Sequence, residues 1–421
     1  MGHVGAEQFE GTEANGRKAL ASITDEMRTK ALSKIALSVL AMGLWAGWPW
    51  PTKAAVNVYL TEVPDYAWNY GCMGTAAGNL MGFWDRHGFP GFYTGLANGG
   101  VAPLISGAGT ISSLWVSKAG IDGRPADKPG HYDDYYLGYE DTGPDPYLTS
   151  GRTEHTPDCI ADFIGMDQLK WTSMAGECNG NLDGFCFVYW NTNGDRRVNF
   201  TPDQEAGTPA RDVQSGLRAW TQYRGHDCSV FTQLTDFNPN KPPSTGFAFE
   251  DMQNEIDAGY PVLLFLQGTD QVSRTIGSAT NVNPEIHSML AYGYYINDTG
   301  DRFVRYRTSW ASGANMLSLW GPQNWQATLP VRGVIGYHPL PRIRQCSLTD
   351  QGLLLQWDGP ASNLYDSATG ATNRVHGYLV EMSTSLDTPN YSPVSPVLLT
   401  NTFTVTNCPG PAFFRVELVK P

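Results

Sequence analysis

A chain of 421 residues, 41% hydrophobic and only 16% charged, has apolar material for two or three domains of about 100–200 residues and no signature of intrinsic disorder. Its formal charge of −13 argues against a nucleic acid or an anionic membrane surface as partner, because neither polyanion gains counterion release from an acidic protein.

Residues 1–26 are polar and aperiodic. From Met27 the pattern turns basic, with Arg28, Lys30 and Lys34, and then apolar from Ile35 to Trp48. That order predicts a secretory leader over residues 27–55, with small residues at Ala54 and Ala55 for cleavage, and makes 1–26 an extension upstream of the true start. The apolar run is broken by Gly and Ser and falls short of the about 20 residues a span needs, so no membrane span is expected after leader removal. The expected address is secreted, periplasmic or cell-surface.

Val56 to Pro64 alternates as a short strand, and the Pro64-Asp65 turn leads into WNYGCMGTAAGNLMGFWDRHG, Trp68 to Gly88. From Met73 the apolar residues Ala76, Ala77, Leu80, Met81, Phe83 and Trp84 keep helical spacing, and Gly88 is placed to stop the helix. Cys72 therefore opens a helix. Unpaired N–H groups and the positive end of the macrodipole lower a thiol pKa there, which sets a nucleophile against the alternative of a buried structural cysteine.

Ile111 to Gly120 predicts a second, shorter helix, and His131 to Tyr147 an ordered loop whose His131, Asp133 and Asp134 are suitable cation ligands without a visible ligand set. Cys159 to Cys228 is polar and glycine-rich. Within it Asn191 to Asn199 faintly resembles a calcium loop, but Asn191 replaces the first Asp, Arg196 the Gly and Pro202 the bidentate Glu. No cofactor is expected, with a structural calcium as the weak exception. No His or Cys pair has zinc-finger or HExxH spacing, so no metal site is assigned.

Setting Cys72 aside leaves Cys159, Cys178, Cys186, Cys228, Cys346 and Cys408, an even set that suits an oxidising compartment. Connectivity is open on sequence alone. Sequence locality favours Cys178–Cys186, Cys159–Cys228 and Cys346–Cys408, with Cys72 as the one thiol left over.

Phe247 to Gly259 predicts an amphipathic helix and Tyr260 to Gln267 a buried strand. Glu285 to Ile296, the Asn297-Asp298-Thr299-Gly300 turn and Asp301 to Trp310 predict a hairpin. Pairing Ile296 with Asp301 sets His287 opposite Trp310 and diagonal to Thr308 on one face, with Ser309 pointing away. From Pro341 helical periodicity stops, and Leu353–Trp357, Tyr378–Ser383, Thr402–Thr406 and Phe413–Val419 predict a small β-sandwich.

Cys72 opening a helix, His287 on a late strand and the Thr308-Ser309-Trp310 corner together resemble papain-like cysteine peptidases. YGCMGTAAG, with HYDDYY and DCIADFIG beyond it, is similar to the secreted bacteriocin-processing, double-glycine peptidase-like bacterial branch over Val56 to Tyr337. The tail resembles a fibronectin type III-like module. The resemblance implies an α+β, papain-like catalytic domain over 56–340, a cysteine-rich insertion near 159–228, and a β-sandwich over 341–421 with a protein or cell-surface component as candidate partner.

It also implies Cys72 as nucleophile, His287 as general base and acid, a thiolate–imidazolium pair, and an acyl-enzyme formed on a peptide or protein substrate. The Cys72 N–H would supply an oxyanion donor. Thr308 aligns with the family's orienting Asn or Asp, where its hydroxyl offers only a neutral hydrogen bond. Tyr66 aligns with the family's oxyanion Gln and would donate through its hydroxyl. Trp68 and Trp310 are supporting residues. The two departures sustain an alternative, a non-catalytic secreted or cell-surface binding protein that retains the fold.

Overall fold

The computed structural model describes residues 54–68, 72–91, 101–105, 159–164, 188–202, 212–238, 245–276, 279–310, 316–321, 330–408 and 410–421. The expected leader apart from its last two residues, the Ile111–Gly120 helix, the loop holding His131, Asp133 and Asp134, and Cys178 and Cys186 lie outside the described residues.

Apolar periodicity places the first helix, α1 (Cys72–Arg86), and its environment makes it central: every residue from Cys72 to Asp85 is buried, so neighbours cover it on all sides. It stops as its sequence requires. His87 N–H and Phe89 N–H both donate to the Trp84 carbonyl, and Gly88 follows at φ 103, where an added Cβ would collide with the Gly359 carbonyl.

Among the described residues the other helices are α2 (Ile160–Ile164), α3 (Val213–Tyr223) and α4 (Phe249–Asp257). The strands before the tail are β1 (Val56–Leu60), β2 (Arg197–Val198), β3 (Cys228–Leu234), β4 (Val262–Ile276), β5 (Ala279–Ile296), β6 (Arg302–Arg307), β7 (Met316–Leu319) and β8 (Val331–Pro339); α2 packs on α1 and α3, α3 on β3, and α4 on β1, β4 and β5. The class is α+β, dominated by antiparallel sheet. With two strands from the tail, β11 (Asn363–Asp366) and β12 (Ala371–Arg374), the main sheet runs β12-β11-β1-β5-β4-β8-β3-β2, and β6 and β7 branch from β5.

The β5–β6 hairpin reaches the expected alignment by a different route. Ile296 pairs with Arg302, not Asp301, because the Asn297 side chain accepts hydrogen bonds from the N–H groups of Thr299 (3.1 Å) and Asp301 (2.7 Å) and closes a longer turn. A bulge between Ala291 and Gly293 absorbs the extra residue, and Leu290 then pairs with Arg307. The pairing ends there, and Trp310 meets His287 beyond it as a stacked ring.

The described parts of 159–228 pack into the main core. Ile160, Phe163, Ile164, Val213, Leu217, Trp220 and Cys228 are buried in the main core, and the latter part folds as α3 because Val213, Leu217 and Trp220 share one helix face. Phe163 and Trp220 meet edge to face at 5.8 Å.

The tail encloses its own core of Leu355, Trp357, Tyr378, Val380 and Val405. Two three-stranded sheets surround it: β9 (Arg342–Thr349), β10 (Gly352–Asp358) and β15 (Thr402–Val405), and β13 (Gly377–Ser383), β14 (Ser392–Pro393) and β16 (Phe413–Val419). Yet β11 leaves this core to pair with β1, Leu60 opposite Leu364, so the tail also completes the main sheet, and Ala54–Pro421 forms one compact unit.

Two expected disulfides are not formed. Leu355 of β10 lies opposite Cys346 of β9 on one side and Phe403 of β15 on the other, so two strand spacings of about 4.8 Å separate Cys346 from the strand that leads to Cys408. That exceeds the about 4.4–6.8 Å between Cα atoms a disulfide spans. Cys346 and Cys408 are exposed free thiols. Cys228 is a buried free thiol that donates to Thr221 Oγ1 at 3.4 Å, so it does not join Cys159. Cys72 is therefore not the one unpaired cysteine.

Candidate active site

Cys72 begins α1, which packs against β5, and its side chain is only 4% exposed. Burial pushes the thiol up to about 11, against hydrogen bonds from the Ser288 backbone and hydroxyl and from the N–H groups of Met73 and Cys72 itself, all of which favour the thiolate. The helix-start donors are in place, but the depressed thiol pKa expected from them is overturned by loss of water. Ser288 immediately follows His287 on β5, but no hydrogen bond joins the Cys72 thiol to the imidazole.

His287 is 1% exposed. Its Nε2 lies 2.6 Å from the Thr308 carbonyl oxygen. A carbonyl can only accept, so Nε2 carries the hydrogen and the neutral ring keeps its lone pair on Nδ1. Nδ1 is buried with no hydrogen-bond partner. Burial lowers the imidazole pKa to about 4, against the raising effect of the Thr308 hydrogen bond.

Thr308 thus orients the ring, but through its backbone and not its hydroxyl, which accepts instead from Trp310 N–H at 3.2 Å. Trp310 stacks flat on His287, ring centroids 4.7 Å apart and planes 9° from parallel. Trp68 stacks in turn on Trp310 at 6.3 Å, and its N–H donates to the Trp310 carbonyl at 3.0 Å. The segment entering α1 is thereby tied to the corner that holds the histidine.

Tyr66 is not an oxyanion donor here. Its hydroxyl donates to the Pro103 carbonyl at 2.8 Å and lies against Gly82, ten residues or about 15 Å along α1 from Cys72. Its N–H is taken by Asn79 Oδ1 at 2.8 Å. Burial raises its phenol pKa, so it serves as a packed anchor for the middle of the helix.

The Asn191 to Asn199 loop holds a cation of its own: the Arg196 guanidinium lies 4.2 Å from the Phe231 ring centre and pairs with Glu255 at 3.3 Å. Among the described residues there is no group of three or more His, Cys, Asp or Glu placed to hold a metal, and no helix is long and apolar enough to cross a membrane.

Two residues at the site escape a reading by motif. Ser288 is signalled only as a small polar residue beside His287, and Ser309 only by its place between Thr308 and Trp310. Compared with known proteins, the chain matches no family model, no curated protein and no solved structure.

Proposed function

We propose that this chain is a secreted cysteine peptidase or amide hydrolase of papain-like type, acting on a peptide or protein substrate through an acyl-enzyme. The observation that carries the reading is the unpartnered, buried Nδ1 of His287 on the residue preceding the one that holds the Cys72 thiol. In the reaction, the Cys72 sulfur attacks the amide carbonyl carbon while His287 Nδ1 takes the thiol proton, then returns it to the departing amine nitrogen. The thioester left on Cys72 is hydrolysed by water activated at the same nitrogen. The N–H groups of Met73 and Cys72, at the start of α1, would supply donors for the oxyanion.

Secretion rests on the leader pattern alone, since the free thiols of Cys228, Cys346 and Cys408 withdraw the support that cysteine parity offered. The alternative, a binding protein that retains the site without turning over, is favoured by one observation: burial holds both members of the pair in their neutral forms.

One experiment separates the two. Protein recovered from the export fraction is incubated with activated acyl esters and peptide amides, and adduct mass, N-terminus and turnover are measured. The hydrolase reading expects an N-terminus near Ala54, an acyl group on Cys72, no adduct in Cys72→Ala, and a loss of about 100-fold or more in His287→Ala. Neither adduct nor turnover with either substrate class leaves the binding-protein reading.

A further inference from the structure

The Thr308-Ser309-Trp310 corner makes two contacts with one ring. The Thr308 carbonyl takes the edge of His287 at Nε2, and the Trp310 indole covers its face. Residues in a regular strand cannot do both, because successive side chains alternate faces and carbonyls lie in the sheet plane. The chain departs from strand geometry between them. Ser309 has φ 59, in the left-handed region that non-glycine residues seldom enter, and it is fully buried with an Oγ that has no hydrogen-bond partner. Its φ sets the angle between the peptide plane carrying the Thr308 carbonyl and the chain leading to Trp310. The Trp68 N–H bond to the Trp310 carbonyl then fixes the far side of the turn.

We propose that Ser309 is a positioning residue: its left-handed backbone, and not any third side chain, holds His287 as the Nε2–H tautomer with the Nδ1 lone pair left unpartnered. Its role in turnover rests on the hydrolase reading above; its role in fixing the tautomer does not. The third member of the constellation is then a peptide group. A side-chain change at Thr308 leaves that group intact, whereas a change of backbone preference at Ser309 moves it.

The test is a substitution series read in the resting protein by imidazole ¹⁵N NMR and, separately, by kcat and KM. Ser309→Gly tolerates positive φ and is expected to keep the Nε2–H tautomer and the wild-type rate. Ser309→Val disfavours positive φ and is expected to give mixed tautomers and to lower kcat by about 10- to 100-fold with little change in KM. Ser309→Ala, scored only after its circular dichroism matches wild type, falls between them and serves if the valine variant does not fold. Thr308→Ala is expected to leave the tautomer unchanged. The proposal is overturned if the alanine and valine variants keep the pure Nε2–H tautomer, or if Thr308→Ala scrambles it. A wild type that turns over no substrate yet shows the tautomer response removes the hydrolase reading and leaves this inference standing.

Discussion

Cys72 and His287 are each pushed by burial toward the neutral form, the thiol to about 11 and the imidazole to about 4. At pH 7 both groups are therefore neutral at rest, and in the proposed reaction proton transfer would accompany attack instead of preceding it. Alkylation of Cys72 by iodoacetamide should accordingly be slow at pH 7 and rise about tenfold per pH unit toward pH 11. His287→Ala should leave the pH 7 rate nearly unchanged. A rate already level between pH 6 and 8 in wild type, and lost in the variant, would show a preformed ion pair and contradict this picture. At this scale the sequence marks Cys72, His287, Thr308 and Trp310, because spacing along a helix and across a hairpin limits where side chains meet. It does not mark the direction of the Tyr66 hydroxyl, whose acceptor at Pro103 lies in a segment with no periodicity, nor the Ser309 backbone, which belongs to no residue preference.

Among the elements, α1 and α4 are legible for a shared reason: an apolar stripe ends at a glycine, Gly88 at φ 103 and Gly259 at φ 88. The hairpin is legible in outcome only, since a longer turn and a bulge cancel. Helix α3 is hidden by the polar, glycine-rich composition around it, although it carries its own start signal. Asp212 caps it by accepting from Ser215 N–H at 2.8 Å, and the Ser215 hydroxyl accepts from Asp212 N–H at 3.1 Å. Burial raises the Asp212 carboxyl pKa, against the Ser215 hydrogen bonds, so the cap is useful for its oxygen and costly for its charge. Urea unfolding should then rank Asp212→Asn at or above wild type, with Asp212→Ala lower by about 1–2 kcal/mol. Equal loss in both variants would mean that the charge, not the acceptor, holds the helix.

The tail's strands are readable one by one, but their docking on β1 is not, because pairing between residues some 300 apart leaves no local pattern. Where the tail meets the rest of the unit, histidines collect. His87 follows α1 and stacks on Phe83 at 4.1 Å, His226 follows α3 with its Nδ1 3.9 Å from Asp358 Oδ2, and His376 lies 5.2 Å from the Tyr260 ring between β12 and β13. His87 O accepts from Ala361 N–H at 3.0 Å, which ties this cluster directly to the tail. Burial lowers His87 to about 4, against its hydrogen bond to Phe83 O; it lowers His226 to about 4 with help from Arg344, Arg342 and Arg224, and His376 to about 3 with help from Arg374. An unfolded histidine titrates near 6.5, so below that pH the unfolded chain takes up protons that the folded chain refuses. The stability these groups contribute is complete above about pH 6.5 and is lost as pH falls toward 4, by about 2 kcal/mol each for His87 and His376 at pH 5. Asp358, whose carboxyl pKa burial raises despite Arg344 at 3.0 Å, works in the opposite direction, because the folded state binds its proton first. With more histidines than such carboxyls at the joint, stability measured by denaturant should fall between pH 7 and pH 5, and amide exchange in β11 and β12 should quicken over the same range. His376→Gln and His87→Gln should each remove about one proton from the uptake on unfolding at pH 5. A stability profile that is flat from pH 7 to 5, or a slope that neither variant changes, would rule the histidine joint out as the source of acid sensitivity.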